Sequence, residues 1–343
     1  MNILVLKLKR IGDLVLTTPA LVALRQAFPS ARLTLCILEN CEGLVPALPY
    51  VDEVLVFRDR RINARLLTRL TTGKFDVCLD FTGNDRSAFF TLLSRAPRRI
   101  TFGWVKRSWH RKFAFNEFVD SSVRENHTID HHLDLLQPLG ITRQDVPITL
   151  ELPASADKAV TQLLLEAGIN GPFAVVHPGT ARAEKYWVPE RWAQVIDHCQ
   201  GVLGLPCVVT GGRDGFERAH LQAIRAGLRT PWRDFSGRLD LLGLATIIRR
   251  ASLLMSMDSA PVHFGAAFHT PQIALFGETN PFAWCPRHDQ AVVLYAGEPK
   301  PLTHFEPRAL PRPLSDLSTE AVIGAINAHF ASLRAATLSI HEQ

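Results

Sequence analysis

The sequence predicts an α/β protein of two domains, each with a parallel sheet covered by helices. Short apolar segments typical of strands alternate with segments of helical periodicity along the chain. The 343 residues exceed one average domain, and prolines and glycines cluster over residues 141–172, after which the alternation begins again. We therefore expect two α/β domains of similar size that meet at a cleft.

In the first half of the chain, strand and helix patterns follow one another. Strands are predicted over residues 3–8, 32–38, 53–57 and 75–81. Helices are predicted over about 14–28, 61–72, 86–94 and 127–140, the last of them amphipathic and ended by Gly140.

The second half repeats this order. Strands are predicted over 173–177, 206–212, 253–259 and 271–277, and helices over 189–199, 214–227, 241–251 and 262–268. A Pro-rich connector over 299–313 precedes a C-terminal helix over 317–335. We place an N-terminal domain at 1–165, a C-terminal domain at 166–315, and at 316–343 a helix that packs back toward the first domain.

Composition excludes several classes of protein. Hydrophobic residues make up 47% of the chain and charged residues 21%, which is not the composition of a disordered protein. No segment has the length of apolar sequence that a membrane-spanning helix needs, and the N-terminal residues read as a strand and not as an export signal. The six cysteines form no CxxC pair and are expected to be buried thiols in a cytoplasmic protein, without a metal.

The positive charge is concentrated in the first half. The net charge is +5, and residues 1–160 hold 22 Lys and Arg against 17 Asp and Glu, which accounts for all of it. Residues 95–112 hold seven basic residues and no acidic residue. Such a segment indicates an anionic partner, which from charge alone is a nucleic acid, a membrane surface or an acidic substrate.

The turn after the first strand contains a single glycine, Gly12, followed by Asp13. A dinucleotide-binding turn would have the pattern G-x-G-x-x-G, so an NAD or FAD enzyme is disfavoured. Asp13 begins a helical segment, and its carboxylate is equally suited to cap that helix or to act as a catalytic base.

Two segments of the second half have the features of phosphate-binding loops. After the strand over 173–177, Thr180 offers a hydroxyl and Lys185 a positive charge, although an isolated surface lysine is the simpler interpretation. Asp258 and Ser259 end a buried strand, and His263 lies one turn into the next helix. The amides at that helix start are an anion site, and capping by either residue with a buried histidine is the competing interpretation.

A third segment, TGGRDGFE over 210–217, places glycines after a strand and Glu217 on the following helix. Glu217 is suited to accept hydrogen bonds from ribose hydroxyls, but a solvated position on the helix is favoured. Taken together, the nucleotide-type segments lie in the second half, and Asp13 and the basic segment lie in the first. This division is typical of an enzyme that transfers a group from a donor to an acceptor.

Several segments resemble one known family. They include ILVLKLKRIGDLVLTTPAL at the start, KFDVCLDFTG, HTIDHHLDLLQPLGI, VVTGGRDGFE, FSGRLDL and DSAPVHFGAAFHTPQIALFGETNPFAW. The chain is similar to the bacterial heptosyltransferases of glycosyltransferase family 9, which add heptose to the lipopolysaccharide core. The DSAPVH segment and Trp284–Pro286 are most similar to the heptosyltransferase III branch, which adds the third heptose.

The resemblance implies a GT-B fold of two Rossmann-like domains. It implies an inverting transfer from ADP-L-glycero-D-manno-heptose to the lipopolysaccharide inner core, without a metal or other cofactor. The roles that it implies are base for Asp13, diphosphate binding for Lys185 with Thr180, nucleotide-diphosphate binding for Asp258, Ser259 and His263, and ribose binding for Glu217.

An anionic acceptor on a lipid gives the basic residues of the first half a possible role. The candidates are Arg58, Arg60, Arg61 and Arg65 after the third strand, and Arg98, Arg99, Lys106, Arg107, Arg111 and Lys112 in the acid-free segment. Trp104 and Trp109 lie among the second group and are suited to a sugar face or a lipid headgroup boundary, so we expect a cytoplasmic protein peripheral to the inner face of the inner membrane. A solvated basic loop is the alternative for these residues. For the whole chain, the alternatives are a related transferase with another nucleotide sugar and another cell-surface glycan, and, less favoured, a nucleic-acid-binding protein.

Overall fold

The chain forms two compact units. This computed structural model describes residues 1–212 and 214–341, with side chains described through residue 331 except at 213. The first unit is Met1–Pro153 and the second is Ala154–Gln343. The division falls inside the predicted boundary segment, 12 residues before the expected end of the first domain at 165.

The first unit contains a parallel sheet with the strand order β3-β2-β1-β4-β5-β6. The central strands are almost wholly buried, because helices cover both faces of such a sheet, and they therefore read as continuous apolar runs. The strand bounds are β1 Asn2–Lys7, β2 Arg32–Leu38, β3 Glu53–Phe57, β4 Val77–Asp80, β5 Arg98–Phe102 and β6 Glu117–Val119.

The helices of the first unit lie between these strands. Their bounds are α1 Ile11–Val15, α2 Thr18–Ala27, α3 Ala64–Thr72, α4 Asp85–Ser94, α5 Trp109–Lys112 and α6 Thr128–Asp134, with 3₁₀ turns over Glu39–Ala47, Gly103–Arg107 and Gln137–Leu139. The single helix expected over 14–28 is instead α1 and α2. Pro19 lies in the first turn of α2, where its missing N–H is tolerated, so a new helix begins there. Gly140, with φ of 79°, ends the segment after α6 as expected.

The second unit contains a parallel sheet with the order β11-β10-β9-β7-β8. The strand bounds are β7 Ala174–His177, β8 Cys207–Val209, β9 Leu253–Met257, β10 Gln272–Phe276 and β11 Ala291–Tyr295. The helices are α7 Ala154–Glu166, α8 Pro189–Gly201, α9 Gly215–Gly227, α10 Leu241–Arg250, α11 Ala260–Ala267, α12 Pro281–Trp284 and α13 Thr319–His341, with 3₁₀ turns over Ala183–Lys185 and Leu314–Asp316.

Helix α7 corrects the expected domain boundary. Residues 154–166 were expected in the first domain, but α7 packs against α10 of the second unit. Asp157 binds Arg249, and Glu166 binds Arg238, which reinforces this packing. Ionic and apolar contacts therefore assign the helix to the second unit.

The C-terminal helix α13 packs against α8, β10 and β11 of the second unit. Ile326 and Val322 are fully buried in the core of this unit, beside Trp192 of α8. This helix was expected to pack back toward the first domain. The side chains of residues 332–341 and the whole of residues 342–343 belong to that prediction and lie outside the described part of the chain. That return stays a prediction.

Three strands were not expected from the sequence. These are β5, which lies inside the basic segment, and the edge strands β6 and β11. The six cysteines are buried, as expected. Over the described residues, no helix is long and apolar enough to cross a membrane.

Candidate active site

Each sheet has a point where the strand order reverses, and polar side chains lie at that point in both units. In the first sheet the reversal falls between β1 and β4, and in the second between β7 and β9. Ligands of open parallel sheets bind outside the carboxyl ends of the strands at such a reversal. The two sets of residues are described separately below.

In the first unit, Lys7 ends β1 and is only 2% exposed. Its ammonium lies 3.7 Å from Oδ1 of Asp13 and 2.9 Å from Nε2 of His132. Burial lowers the pKa of Lys7 to about 8, and the charge of Asp13 opposes this shift. The sequence pattern indicated Asp13 but neither Lys7 nor His132.

Asp13 is not a helix cap. The N-cap of α1 is Arg10, and Asp13 is the third helical residue, in the first turn. Its side chain is 23% exposed, so the carboxylate is accessible while it remains beside a buried cation. The capping interpretation is therefore wrong, and the role of base remains as a prediction.

Asp80 ends β4, beside Lys7 in the sheet, and is fully buried. Its carboxylate accepts hydrogen bonds from the backbone N–H groups of Thr82 and Gly83 and from the hydroxyl of Ser87. Burial raises the pKa of Asp80 to about 6, and these hydrogen bonds oppose the shift. Asp80 fixes the turn after β4 and adds a negative charge near Lys7.

In the second unit, the structure brings Lys185 and Asp258 together. Lys185 ends the turn over Ala183–Lys185, and its Nζ donates to Oδ2 of Asp258 at 2.5 Å. The loop is held by Trp187, whose backbone N–H donates to Sδ of Met257 and whose indole donates to the carbonyl of Leu317. A solvated lysine is therefore the wrong interpretation, since the Lys185 side chain is 14% exposed and paired.

Glu217 is buried in α9 and not on a solvated face, which corrects the expectation from the sequence. A Cβ atom added to Gly179 would lie 1.7 Å from its Oε1, and one added to Gly212 would lie 2.6 Å from its Oε2. A side chain at either glycine would therefore displace this carboxylate from its position. Oε1 is buried and accepts no hydrogen bond from the described residues. Burial raises the pKa of Glu217, and the N–H of Gly212 opposes this shift.

His177 ends β7 and lies between Glu217 and the next strand. Its Nε2 is 3.9 Å from Oε1 of Glu217, and its Nδ1 is 2.9 Å from the hydroxyl of Thr210. Burial lowers the pKa of His177 to about 4, so the ring is neutral at physiological pH. A neutral ring leaves the charge of Glu217 uncompensated and available to a ligand hydroxyl.

The remaining predicted donor residues lie at the same edge of the second sheet. Ser259 is the N-cap of α11, but its hydroxyl makes no capping bond and bonds instead to the carbonyl of Met257. His263 is a buried residue of α11, and Thr180 is half-buried in the loop after β7. The backbone of Thr180 hydrogen-bonds to the phenol of Tyr186, which stacks on His220.

Two of the predicted acceptor residues are part of the scaffold. Arg98 donates through Nε and Nη2 to both oxygens of Glu117, and Arg99 donates to the carbonyls of Ala114 and Ala96. Both begin β5, at the opposite edge of the sheet from Asp80. Their guanidinium groups already have partners there, which favours a structural role, and the acceptor role of this pair stays a prediction.

Four more of the predicted acceptor residues are exposed and follow strand ends. Arg60 and Arg61 lie after β3, and Lys106 and Arg107 lie in the 3₁₀ turn after β5. A cavity of about 440 Å³ is lined by residues 104, 105 and 107–111, among them Trp104, Arg107, Trp109 and Arg111. Trp109 is 73% exposed and Phe113 is 66% exposed. Basic and aromatic side chains therefore share one surface of the first unit.

Comparisons with known proteins agree with these features. The profile of glycosyltransferase family 9 (heptosyltransferase) matches residues 63–308, more than two thirds of the chain. The chain belongs to glycosyltransferase family 9. It is therefore an enzyme that transfers a sugar, as the sequence analysis expected.

The relatives of this family 9 enzyme include lipopolysaccharide heptosyltransferase 3 of Escherichia coli K12. The two sequences are 25% identical over 327 residues, which cover 92% of this chain and 94% of that protein. The predicted similarity to the heptosyltransferase III branch is confirmed by this match.

Solved structures of family 9 confirm the GT-B fold. A family 9 glycosyl transferase from Veillonella parvula superimposes with a TM-score of 0.83 at 25% identity, covering 96% of this chain and 97% of that one. The Escherichia coli heptosyltransferase WaaC, solved with ADP, superimposes with a TM-score of 0.75 at 21% identity, covering 96% and 100%.

Three site residues of this family 9 enzyme that were not predicted have a recognisable position in the sequence. Lys7, Asp80 and His177 are each the last residue of an apolar strand, the position where ligand-facing groups of parallel sheets are found. His132 has no such signal, since it lies inside a helix and reaches Lys7 only through the tertiary fold. Among the described residues, no cluster of three or more His, Cys, Asp or Glu is arranged to hold a metal ion.

Proposed function

We propose that this enzyme transfers heptose from ADP-L-glycero-D-manno-heptose to the inner core of lipopolysaccharide. The observation that carries the proposal is the site around Glu217, a buried carboxylate with an unpartnered oxygen and glycines around it, in the same unit as the Lys185–Asp258 pair. An acceptor for hydroxyls next to a cation is suited to a ribose joined to a diphosphate. The names of relatives support an ADP-linked heptose as donor and lipopolysaccharide as acceptor, and the sugar configuration and the inner core are what the family resemblance implies.

The donor residues act on the leaving group in this proposal. As the bond from the anomeric carbon to the diphosphate breaks, negative charge grows on the diphosphate oxygens. Lys185 and the backbone amides at the start of α11 stabilise that charge, with Asp258 holding the lysine in place. Thr180, Ser259 and His263 complete the nucleotide-diphosphate contacts, and Glu217 accepts the ribose hydroxyls. No metal or other cofactor takes part.

The acceptor side of the reaction is assigned to Asp13. Its carboxylate takes the proton of the acceptor hydroxyl as the hydroxyl oxygen attacks the anomeric carbon from the face opposite ADP. One displacement of this kind inverts the anomeric configuration. Partial exposure and a cation at 3.7 Å support this role, since the carboxylate is accessible to an acceptor hydroxyl and has a fixed charged neighbour.

The acceptor is anionic and lies on a membrane lipid, which fits the charge of the first unit. Arg60, Arg61, Lys106 and Arg107 are proposed to bind its carboxylates and phosphates. Trp109 is proposed to rest at the headgroup boundary of the anionic inner leaflet. The enzyme then works at the cytoplasmic face of the inner membrane.

A transfer assay tests the donor, the acceptor and the stereochemistry together. Purified enzyme is given ADP-heptose and a heptose-deficient core lipid, and the product is analysed by mass spectrometry and by the anomeric proton coupling. We expect an inverted heptoside, formed equally well in EDTA. Thermal stabilisation by UDP or GDP but not ADP would contradict the donor and favour another nucleotide sugar. Activity that returns only with added Mg²⁺ would contradict the metal-free mechanism.

A further inference from the structure

Lys7 is a buried charge that the proposed displacement does not use. Its side chain is 2% exposed and is the last residue of β1, at the point where the strand order reverses. Burying a lysine is unfavourable, and apolar residues commonly replace buried ion pairs without loss of stability. A buried lysine at a ligand-binding edge therefore calls for a reason other than stability.

The orientation of Lys7 is fixed by His132. Nδ1 of His132 lies 3.0 Å from the carbonyl oxygen of Leu16, which only accepts, so this nitrogen carries the ring proton. Nε2 then has a lone pair, and it accepts a hydrogen bond from Lys7 at 2.9 Å. Burial and the charge of Lys7 lower the pKa of His132 far below its usual range, which keeps the ring neutral in this role.

The ammonium that His132 holds points toward Asp13. The distance from Nζ of Lys7 to Oδ1 of Asp13 is 3.7 Å, so the two groups form an ion pair. The other charged or titratable groups that act on Lys7 are Lys9 before α1 and Asp80 at the end of β4. In the same region, the charge of Lys7 acts to lower the pKa of His131 in α6 and of Cys41 in the 3₁₀ turn over Glu39–Ala47.

We propose that Lys7, oriented by His132, is a positioning residue whose ammonium holds the Asp13 carboxylate aimed at the acceptor hydroxyl. The inference rests on the proposed function, because it takes Asp13 as the base. In the reaction the hydroxyl proton moves to Asp13, and the attacking oxygen forms the new bond to the anomeric carbon while ADP leaves. Lys7 keeps its proton throughout, and its positive charge orients the Asp13 carboxylate.

The test compares Lys7→Met with Lys7→Arg and with Lys9→Met, a matched control that removes an exposed lysine two residues away. Rates are measured between pH 5 and pH 7, below the pKa of about 8 of Lys7, where the lysine carries its charge. For Lys7→Met we expect the acid limb of kcat/KM to move up by about 1 pH unit. We also expect kcat at the optimum to fall on the order of tenfold or more, with the KM for the sugar nucleotide unchanged. Lys7→Arg restores the acid limb in part, and Lys9→Met keeps the wild-type profile.

A second readout does not require activity. The carboxyl carbon of Asp13 is followed by NMR in protein labelled with ¹³C-aspartate, and its signal is assigned with Asp13→Asn. We expect it to titrate at higher pH in Lys7→Met than in the wild type and Lys9→Met. An unchanged rate profile and an unchanged titration in a folded Lys7→Met protein would overturn the inference and leave Lys7 a structural residue. If no heptose is transferred by the wild type, the proposed function fails, and the titration still decides whether Lys7 controls Asp13.

Discussion

Replacing Glu217 by Gln is expected to weaken ADP binding without weakening the fold. A hydrogen bond to a charged acceptor contributes about 1.5–3 kcal/mol, and glutamine keeps a neutral acceptor oxygen. We therefore expect the free energy of ADP binding to weaken by about 1.5 kcal/mol, which raises Kd roughly tenfold. Burial raises the pKa of Glu217, so the folded state favours the protonated form and stability is lower above that pKa. Removing the charge therefore leaves the unfolding free energy at pH 7 unchanged or higher.

The assay is calorimetric titration with ADP together with urea denaturation. Glu166→Gln is the matched control, because it removes a glutamate that is 47% exposed on α7 of the same unit. A steric variant, Gly179→Ala, tests the same carboxylate by placing a methyl 1.7 Å from Oε1, and Gly171→Ala is its control with open space around the added atom. Unchanged ADP affinity in both Glu217→Gln and Gly179→Ala would refute the reasoning that the carboxylate contacts the nucleotide.

Three further outcomes are expected. Lys185→Ala should slow transfer about a hundredfold and, by leaving Asp258 buried without its partner, lower the unfolding free energy by about 3 kcal/mol; unchanged ADP affinity in calorimetry would remove Lys185 from the site. Asp80→Asn should abolish a pH dependence of stability. With a folded pKa of about 6, Asp80 lowers the unfolding free energy of the wild type as pH rises from about 4 to 6, by up to about 3 kcal/mol. Urea denaturation at pH 4.5 and 7 measures this change, and an equal change of unfolding free energy in the wild type and the variant would contradict the prediction. Changing Trp109 and Phe113 to Ser should reduce sedimentation with anionic liposomes more than stability, and undiminished sedimentation would count against contact with the membrane.

Much of the fold follows from the sequence because buried parallel strands leave a strong local pattern. Segments such as ILVL and AVVLY are apolar throughout, but the second was missed because it lies at a sheet edge close to a Pro-rich connector. Strand β5 was missed because its first two residues are arginines, and β6 because it has only three residues. Their pairing depends on contacts with β4 and β5 that are distant in sequence.

In the candidate site, local motifs indicate single residues, but the contacts between those residues arise only in the folded chain. Lys185 and Asp258 were each recognised in a local motif, but their pairing across 73 residues is a product of the fold. The burial of Glu217 depends on glycines from two separate loops, so its helix alone predicted a solvated position. His132 reaches Lys7 across 125 residues, and no local pattern could show that contact.

The direction of the pKa shifts separates the site from the scaffold. At the carboxyl ends of the strands and in the helix that follows, burial opposes the charge of Lys7, Asp80 and Glu217, so each charged form is unfavourable in the folded protein. At the amino end of β5, mutual hydrogen bonds favour the charged forms: Glu117 raises the pKa of Arg98, and Arg98 lowers the pKa of Glu117. Charged groups whose ionised form burial disfavours are more frequent at functional sites than in the scaffold, and here they lie at the strand ends where ligands of parallel sheets bind. The sequence records only that a residue is charged, and for that reason it grouped Arg98 with the exposed basic residues of the acceptor surface.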